Sequence, residues 1–242
     1  MKLLHAATIS TSLVIIFGLT IVMPTFTRSN SNTRSTRIML SFSIVNVGNP
    51  SEWCTNLSII LEKYDLRATV FFAGDVAHER PECVSIFGSS IDVGSQTYHY
   101  VELATIPDYA AKLEEIAAGK EAVDHAGNLT SRLFRAAFKA TDQDIQSLLN
   151  TTGILADFSY DEHYSLFRGG EFVEFNASTR VAPASSPEDI LTLANTAELI
   201  IYEFSNTLPT DYIEHCISAL IEENVRFVSA SEVAGFSLTQ RR

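Results

Sequence analysis

Short runs of β-branched and aromatic residues alternate along this chain with longer runs whose apolar positions recur at helical spacing. The pattern predicts strands over residues 38–44, 68–72, 91–94, 133–135, 155–158, 199–204 and 226–229. The run at 68–72 is apolar at nearly every position, as a strand covered on both faces requires. Between these runs lie three clear helical patterns. Residues 52–64 place Leu57, Ile60, Leu61 and Tyr64 on one face, with Ser51 as a candidate N-cap. Residues 107–125 carry Tyr109, Leu113, Ile116 and Val123 on one stripe, and residues 210–224 present Tyr212, Ile213, Cys216, Ile217, Leu220 and Ile221. Pro209 and Thr210 open the last of these in the expected way. Strands alternating with helices imply an α/β barrel or an open parallel sheet, with functional residues at the C-terminal ends of the strands.

The first segment has a different character. No charged residue occurs from Ala6 to Met23, Lys2 precedes the run and Pro24 breaks it. Its length suits a bilayer core of roughly 30 Å at about 1.5 Å per residue. Residues 1–24 are therefore expected to be a signal anchor or, alternatively, a cleaved signal peptide. Residues 25–37, rich in Ser, Thr, Asn and Arg, read as a polar linker; residues 38–236 form the domain and 237–242 a tail. Arg28, Arg34 and Arg37 on the domain side argue for a cytoplasmic domain. Four acceptor tripeptides, beginning at Asn56, Asn128, Asn150 and Asn176, argue for the outside, as does an expected disulfide. The extracytoplasmic orientation is the one expected.

Composition narrows the partners. The 242 residues carry a formal charge of −12, which disfavours nucleic acid because phosphates would be repelled. The three cysteines form no CxxC pair, so a structural zinc site is disfavoured and no cofactor is expected. Cys216, on an apolar helix face, is expected to be a buried free thiol.

Several segments, in order, carry a family resemblance. Residues 64–75 (YDLRATVFFAGD) are followed by Pro81-Glu82-Cys83-Val84, then by residues 91–100 (IDVGSQTYHY). Leu133-Phe134-Arg135-Ala136-Ala137-Phe138, then residues 199–204 (LIIYEF) and 225–232 (VRFVSASE), complete the set. Together they resemble the NodB-type polysaccharide deacetylases over nearly the whole domain. The resemblance implies an irregular (β/α) barrel of fewer than eight strands and a metal-dependent activity that removes acetyl groups from N-acetylated sugars. In that family one Asp and two His hold the ion, a neighbouring Asp is the general base and a later His the general acid.

Position by position, this chain departs from that machinery. The first strand reads Ser41-Phe42-Ser43-Ile44, so Ser43 stands at the base position and Ile44 at a metal-ligand position. Gln96 and Tyr100 stand where the two metal-binding histidines belong, and Glu203 stands for the general acid. Arg135 is the family's arginine that orients the base. Ile44 has no donor atom, so the resemblance implies a family member without the metal triad, retaining Ser43, Arg135 and Glu203 as vestiges.

Gln96, Tyr100, Phe138, Asp157 and Tyr160 are expected to line a substrate cleft, with Tyr98, Tyr100, Phe138 and Tyr160 offering rings that stack on sugars or pack in the core. Arg135 pairs with Glu203 or Asp157, or else binds ligand. His99 is read as a surface or hydrogen-bonded histidine, and His163 as part of a solvated loop with Asp157, Asp161 and Glu162. Cys54 and Cys83 fall in elements that this fold makes neighbours and are expected to form a disulfide. The leading functional expectation is a membrane-tethered pseudoenzyme that binds an N-acetylated glycan. The alternatives are a hydrolase rewired through Glu203, Asp157 or His99, and a structural envelope domain whose cleft is filled by its own side chains.

Overall fold

In the computed structural model, which describes residues 37–141, 144–193, 197–223 and 225–242, the alternating pattern becomes one large sheet wrapped by helices. In chain order the elements are β1 (Arg37–Ile44), α1 (Pro50–Lys63), β2 (Ala68–Phe72), α2 (Gly74–Glu79), α3 (Pro81–Ser85), β3 (Ile91–Ser95), α4 (Tyr109–Gly127), β4 (Leu129–Ser131) and β5 (Leu133–Phe134). There follow α5 (Ile145–Thr151), β6 (Ala156–Asp157), β7 (His163–Arg168), β8 (Glu171–Asn176), β9 (Ser178–Val181), α6 (Pro187–Leu193), β10 (Leu199–Ser205), α7 (Thr210–Glu222), β11 (Arg226–Phe227), α8 (Ala230–Ala234) and β12 (Thr239–Arg241).

The sheet runs β8-β7-β6-β5-β3-β2-β1-β10-β9, with β11 also paired to β1. From β6 to β9 every pairing is parallel, and in this sheet only the pairings of β7, with β6 and with β8, are antiparallel. β9 also reaches the segment that leads into β7, where the Thr179 amide donates to the Asp161 carbonyl at 2.9 Å. The result is a nearly closed barrel, the irregular (β/α) architecture that the resemblance implies.

Strand alternation sorts the core into layers. On β1, Ile38, Leu40, Phe42 and Ile44 pack outward with Trp53, Leu57 and Leu61 of α1 and Ile213, Ile217 and Leu220 of α7. Met39, on the opposite face, packs with Phe71, Leu133, Ala156, Leu199 and Ile201. Ser41 and Ser43 share that inner face and stand toward the C-terminal end of the strand.

The strands expected from sequence lie within two residues of those observed. Four local readings need correction. The N-cap of α1 is Asn49, whose side chain accepts from the Glu52 amide, because Pro50 takes the first helical position; Ser51 lies inside the helix and donates to Glu82 at 2.7 Å. Tyr109 is 45% exposed; the face α4 buries is Lys112, Ile116, Gly119 and Val123. Residues 237–242 are not a tail: Leu238 is buried, and β12 pairs antiparallel with β4. Residues 158–162 form the expected loop with Asp161 and Glu162 exposed, but Asp157 is buried and His163 opens the β7–β8 hairpin, whose turn uses Gly169 and Gly170 at positive φ.

Cys54 and Cys83 form the expected disulfide, joining α1 to α3, and Cys216 is a buried free thiol. The apolar run 6–23 and most of the linker lie outside the described residues. Among the described residues no helix is long and apolar enough to cross a membrane.

Candidate functional site

The inner faces of β1 and β10 set the floor of the barrel mouth. Ser41 and Glu203 are direct partners in the β1–β10 ladder. Arg135, the residue after β5, crosses to both. Its Nη1 donates to Ser41 Oγ at 2.6 Å and to Glu203 Oε1 at 3.1 Å, and its Nη2 donates to Ser43 Oγ. The guanidinium also stacks over Phe71 at 4.6 Å from the ring centroid. Arg135 is 4% and Glu203 7% exposed, so this is a buried pair with hydroxyl acceptors around it. Of the readings left open for Arg135, the pairing with Glu203 is the one the structure forms.

A second cation completes the cluster. Lys139 Nζ lies 3.0 Å from Glu203 Oε2 and 2.6 Å from Asp161 Oδ1. Sequence reasoning missed Lys139 because its backbone is unusual: Phe138 and Lys139 both adopt positive φ, 55° each. Non-glycine residues rarely take this conformation, and each costs of order 1–3 kcal/mol. The signal that could have found it was a lysine directly after the Phe134–Phe138 segment, within reach of a strand-end carboxylate.

Beside these charges stands an aromatic rim. Tyr100, also at positive φ (54°), places its ring 4.8 Å from that of Phe138, and Phe138 is 66% exposed. Tyr160 stacks instead on His163, with centroids 4.1 Å apart. Tyr98 packs edge-on against His99.

Two expected cleft residues are inaccessible. Gln96 is buried and its Nε2 donates to the Phe71 carbonyl at 3.1 Å, which turns its side chain into a strut between β2 and β3. Asp157, at the end of β6, is fully buried. It accepts from the amide of Ser159 at 3.1 Å and from the Ser159 hydroxyl, and that hydroxyl accepts from the Ala136 amide at 2.8 Å. Asp157 thus braces the loop that carries Phe138 and Lys139. Burial pushes its carboxyl up to about 7, only partly opposed by Ser159 and by the Tyr160 hydroxyl. Its Oδ2 has no hydrogen-bond partner among the described residues.

The groups that a rewired hydrolase would need are each engaged by other residues. Glu203 is held between two cations and Asp157 is sealed beneath the loop. His99 lies on the exterior, its Nδ1 2.6 Å from Glu115 Oε1, and the hydrogen bond to Glu115 raises its pKa. His163 Nε2 stands 3.6 Å from Glu174 Oε1.

A family model described as polysaccharide deacetylase matches residues 30–156, more than half of the chain. The chain belongs to the polysaccharide deacetylase family. No curated protein matches it. Among solved structures, a CE4 family pseudoenzyme from Bacillus anthracis is similar at 13% identity and a TM-score of 0.59, over 82% of this chain and 65% of that one. The peptidoglycan deacetylase PdaC from Bacillus subtilis is similar at 15% identity and a TM-score of 0.60, over 84% and 92%. A candidate polysaccharide deacetylase from Mycobacterium smegmatis gives 14% identity and a TM-score of 0.66, over 85% and 91%. The chain spans just under two thirds of the length of the first. At these identities the likeness is one of fold.

The polysaccharide deacetylase mechanism implies a metal ion, and the residues here do not fit one. Ile44 packs in the apolar layer beneath α1 and offers no donor. The Gln96 amide nitrogen is committed to a carbonyl, the Tyr100 ring lies against Phe138, and Ser43 accepts from Arg135. Among the described residues no group of three or more His, Cys, Asp or Glu side chains could hold a metal. A hard cation also gains little beside a guanidinium and an ammonium.

Proposed function

We propose that this chain is a membrane-tethered, extracytoplasmic polysaccharide deacetylase homologue that binds an N-acetylated glycan without hydrolysing it. The observation that carries this reading is the Tyr100–Phe138 pair. An aromatic ring two-thirds exposed, held on strained backbone at the mouth of the barrel, is costly unless something covers it. A sugar ring presents an apolar face suited to such a platform. The neutral balance of Arg135 and Lys139 against Glu203 and Asp161 suits an uncharged ligand. Loss of catalysis is supported by the chemistry of positions 43, 44, 96 and 100, and a pseudoenzyme among the similar structures is consistent with it. Tethering is supported by the uncharged run 6–23, and the exported side by the disulfide.

The test is calorimetric titration of the protein with N-acetylglucosamine oligomers and with peptidoglycan fragments, alongside an acetate-release assay with added divalent ions. Saturable binding, weakened at least tenfold by Phe138→Ala, with no acetate released, is the expected result. Silence toward every N-acetylated oligomer would remove the binding role, and acetate release abolished by Glu203→Gln would restore the hydrolase.

A further inference from the structure

The fold treats the four Asn-X-Ser/Thr tripeptides unequally. N-linked glycosylation uses such tripeptides at the surface, and the transferase must reach the asparagine amide and the hydroxyl two residues later together. In a strand residues i and i+2 share a face, whereas in a helix they point about 200° apart. Asn56 lies half-buried inside α1, and the Ser58 hydroxyl donates to the Thr55 carbonyl at 2.8 Å. Asn150 lies in the last turn of α5, where the Thr152 hydroxyl donates to the Leu149 carbonyl at 2.9 Å. At Asn128 both groups are held by Arg242. Asn128 Nδ2 donates to the Arg242 carbonyl at 3.2 Å, and Thr130 Oγ1 accepts from Arg242 Nη2 at 3.1 Å.

Asn176 differs on each count. It is exposed at the end of β8, the strand at one edge of the sheet, and Ser178 begins β9. The Ala177 and Thr179 amides donate to the carbonyls of Glu162 and Asp161, both at 2.9 Å, so the chain runs on extended through this point. Asn176 and Ser178 therefore share a face. Among the described residues no hydrogen bond ties the side chain of either.

We propose that Asn176 is the acceptor of an N-linked glycan in the folded protein, the other three tripeptides being closed by the fold. The reaction joins C1 of a sugar to Asn176 Nδ2, and one amide proton passes to a base of the transferase. The bond between C1 and oxygen of a lipid-diphosphate oligosaccharide breaks, and the lipid diphosphate leaves with the bonding pair. The inference rests on the exported orientation proposed above, because the transfer takes place on that side of a membrane. A hydrated glycan at this point also shields the open edge of β8, where Val173 is 37% exposed, from pairing with another strand.

The first experiment does not depend on orientation. The full chain, purified unmodified in mild detergent, is treated with a single-subunit oligosaccharyltransferase and its polyprenyl-diphosphate oligosaccharide. Intact mass and glycopeptide sequencing are expected to show one oligosaccharide, on Asn176, and none on Asn176→Gln. Peptides spanning the other three tripeptides are expected to accept the sugar once freed from the fold. No transfer to the folded chain, transfer to Asn56, Asn128 or Asn150 as readily as to Asn176, or peptides that refuse the sugar overturns the proposal. The second experiment inserts the full chain into glycosylating membrane vesicles and probes the domain with external protease. A protected domain carrying the glycan on Asn176 is expected. A protected domain without it overturns the proposal and leaves the exported orientation standing, whereas a cleaved domain overturns both.

Discussion

Arg135 and Glu203, 68 residues apart in sequence, form a buried ion pair at 3.1 Å across the mouth of the barrel. Ser41 binds the same Nη1 and is Glu203's ladder partner, so the pair is held by sheet register as well as by charge. In a catalytic relative the arginine orients a base. Here its partners are two serines and a carboxylate, and its role is to hold the floor together.

Removing one member of such a pair leaves the other charge buried without compensation. Arg135→Met is expected to destabilise the protein by about 3–5 kcal/mol. Glu203→Gln should cost less, since the amide oxygen can still accept from Arg135. Urea unfolding of both single variants and the double variant measures the coupling, and additive losses would contradict a direct pair.

Asp157 predicts a pH dependence. Its folded pKa of about 7 lies above the ordinary carboxylate value of 3.8, so the folded state binds the proton more tightly than the unfolded chain. Stability is therefore expected to fall as pH rises from about 4 to about 7, by roughly 2–4 kcal/mol, and to level off beyond. Asp157→Asn should flatten this slope and be no less stable than wild type at pH 8. Parallel urea curves at pH 5 and 8 decide it, and equal pH slopes in the two proteins would refute the assignment.

The Cys54–Cys83 bridge closes a loop with a sequence separation of 29. In the chain-entropy view its reduction should cost about 3–4 kcal/mol. Unfolding midpoints with and without a phosphine reductant measure this, and coincident curves would show that the bridge contributes nothing.

Gly119 sets sterics against propensity. In the middle of a helix, glycine to alanine ordinarily gains up to about 1 kcal/mol. Here an added Cβ would lie 2.3 Å from the Gln96 carbonyl oxygen, where α4 passes close to the segment leading to Tyr98 and Tyr100. Gly119→Ala is expected to lower the melting temperature, and a stabilised variant would show that this segment moves aside freely.

How much of this was legible beforehand differs by element. β1, β2 and β10 are long and apolar on at least one face, and their boundaries could be read almost to the residue. The β7–β8 hairpin could not, because β8 is exposed or half-exposed along its whole length and carries no inward alternation. The expectations at positions 43, 44, 96, 100 and 203 rested on the ordered motifs and on residue type alone; among them only Ile44 offers no donor atom.

The sequence by itself determined the alternating α/β plan, the family, the disulfide partners and the residue types that stand at positions 43, 44, 96 and 100. Each of these is carried by local periodicity or by side-chain identity within a motif. Only the tertiary structure decided that Gln96 and Asp157 turn inward as struts and that Arg135 takes Glu203 as its partner. It alone placed Lys139 between Glu203 and Asp161. Those outcomes depend on which side chains meet when β1, β5, β6 and β10 close around one axis, and on a positive-φ turn at Phe138 and Lys139 that no local preference announces.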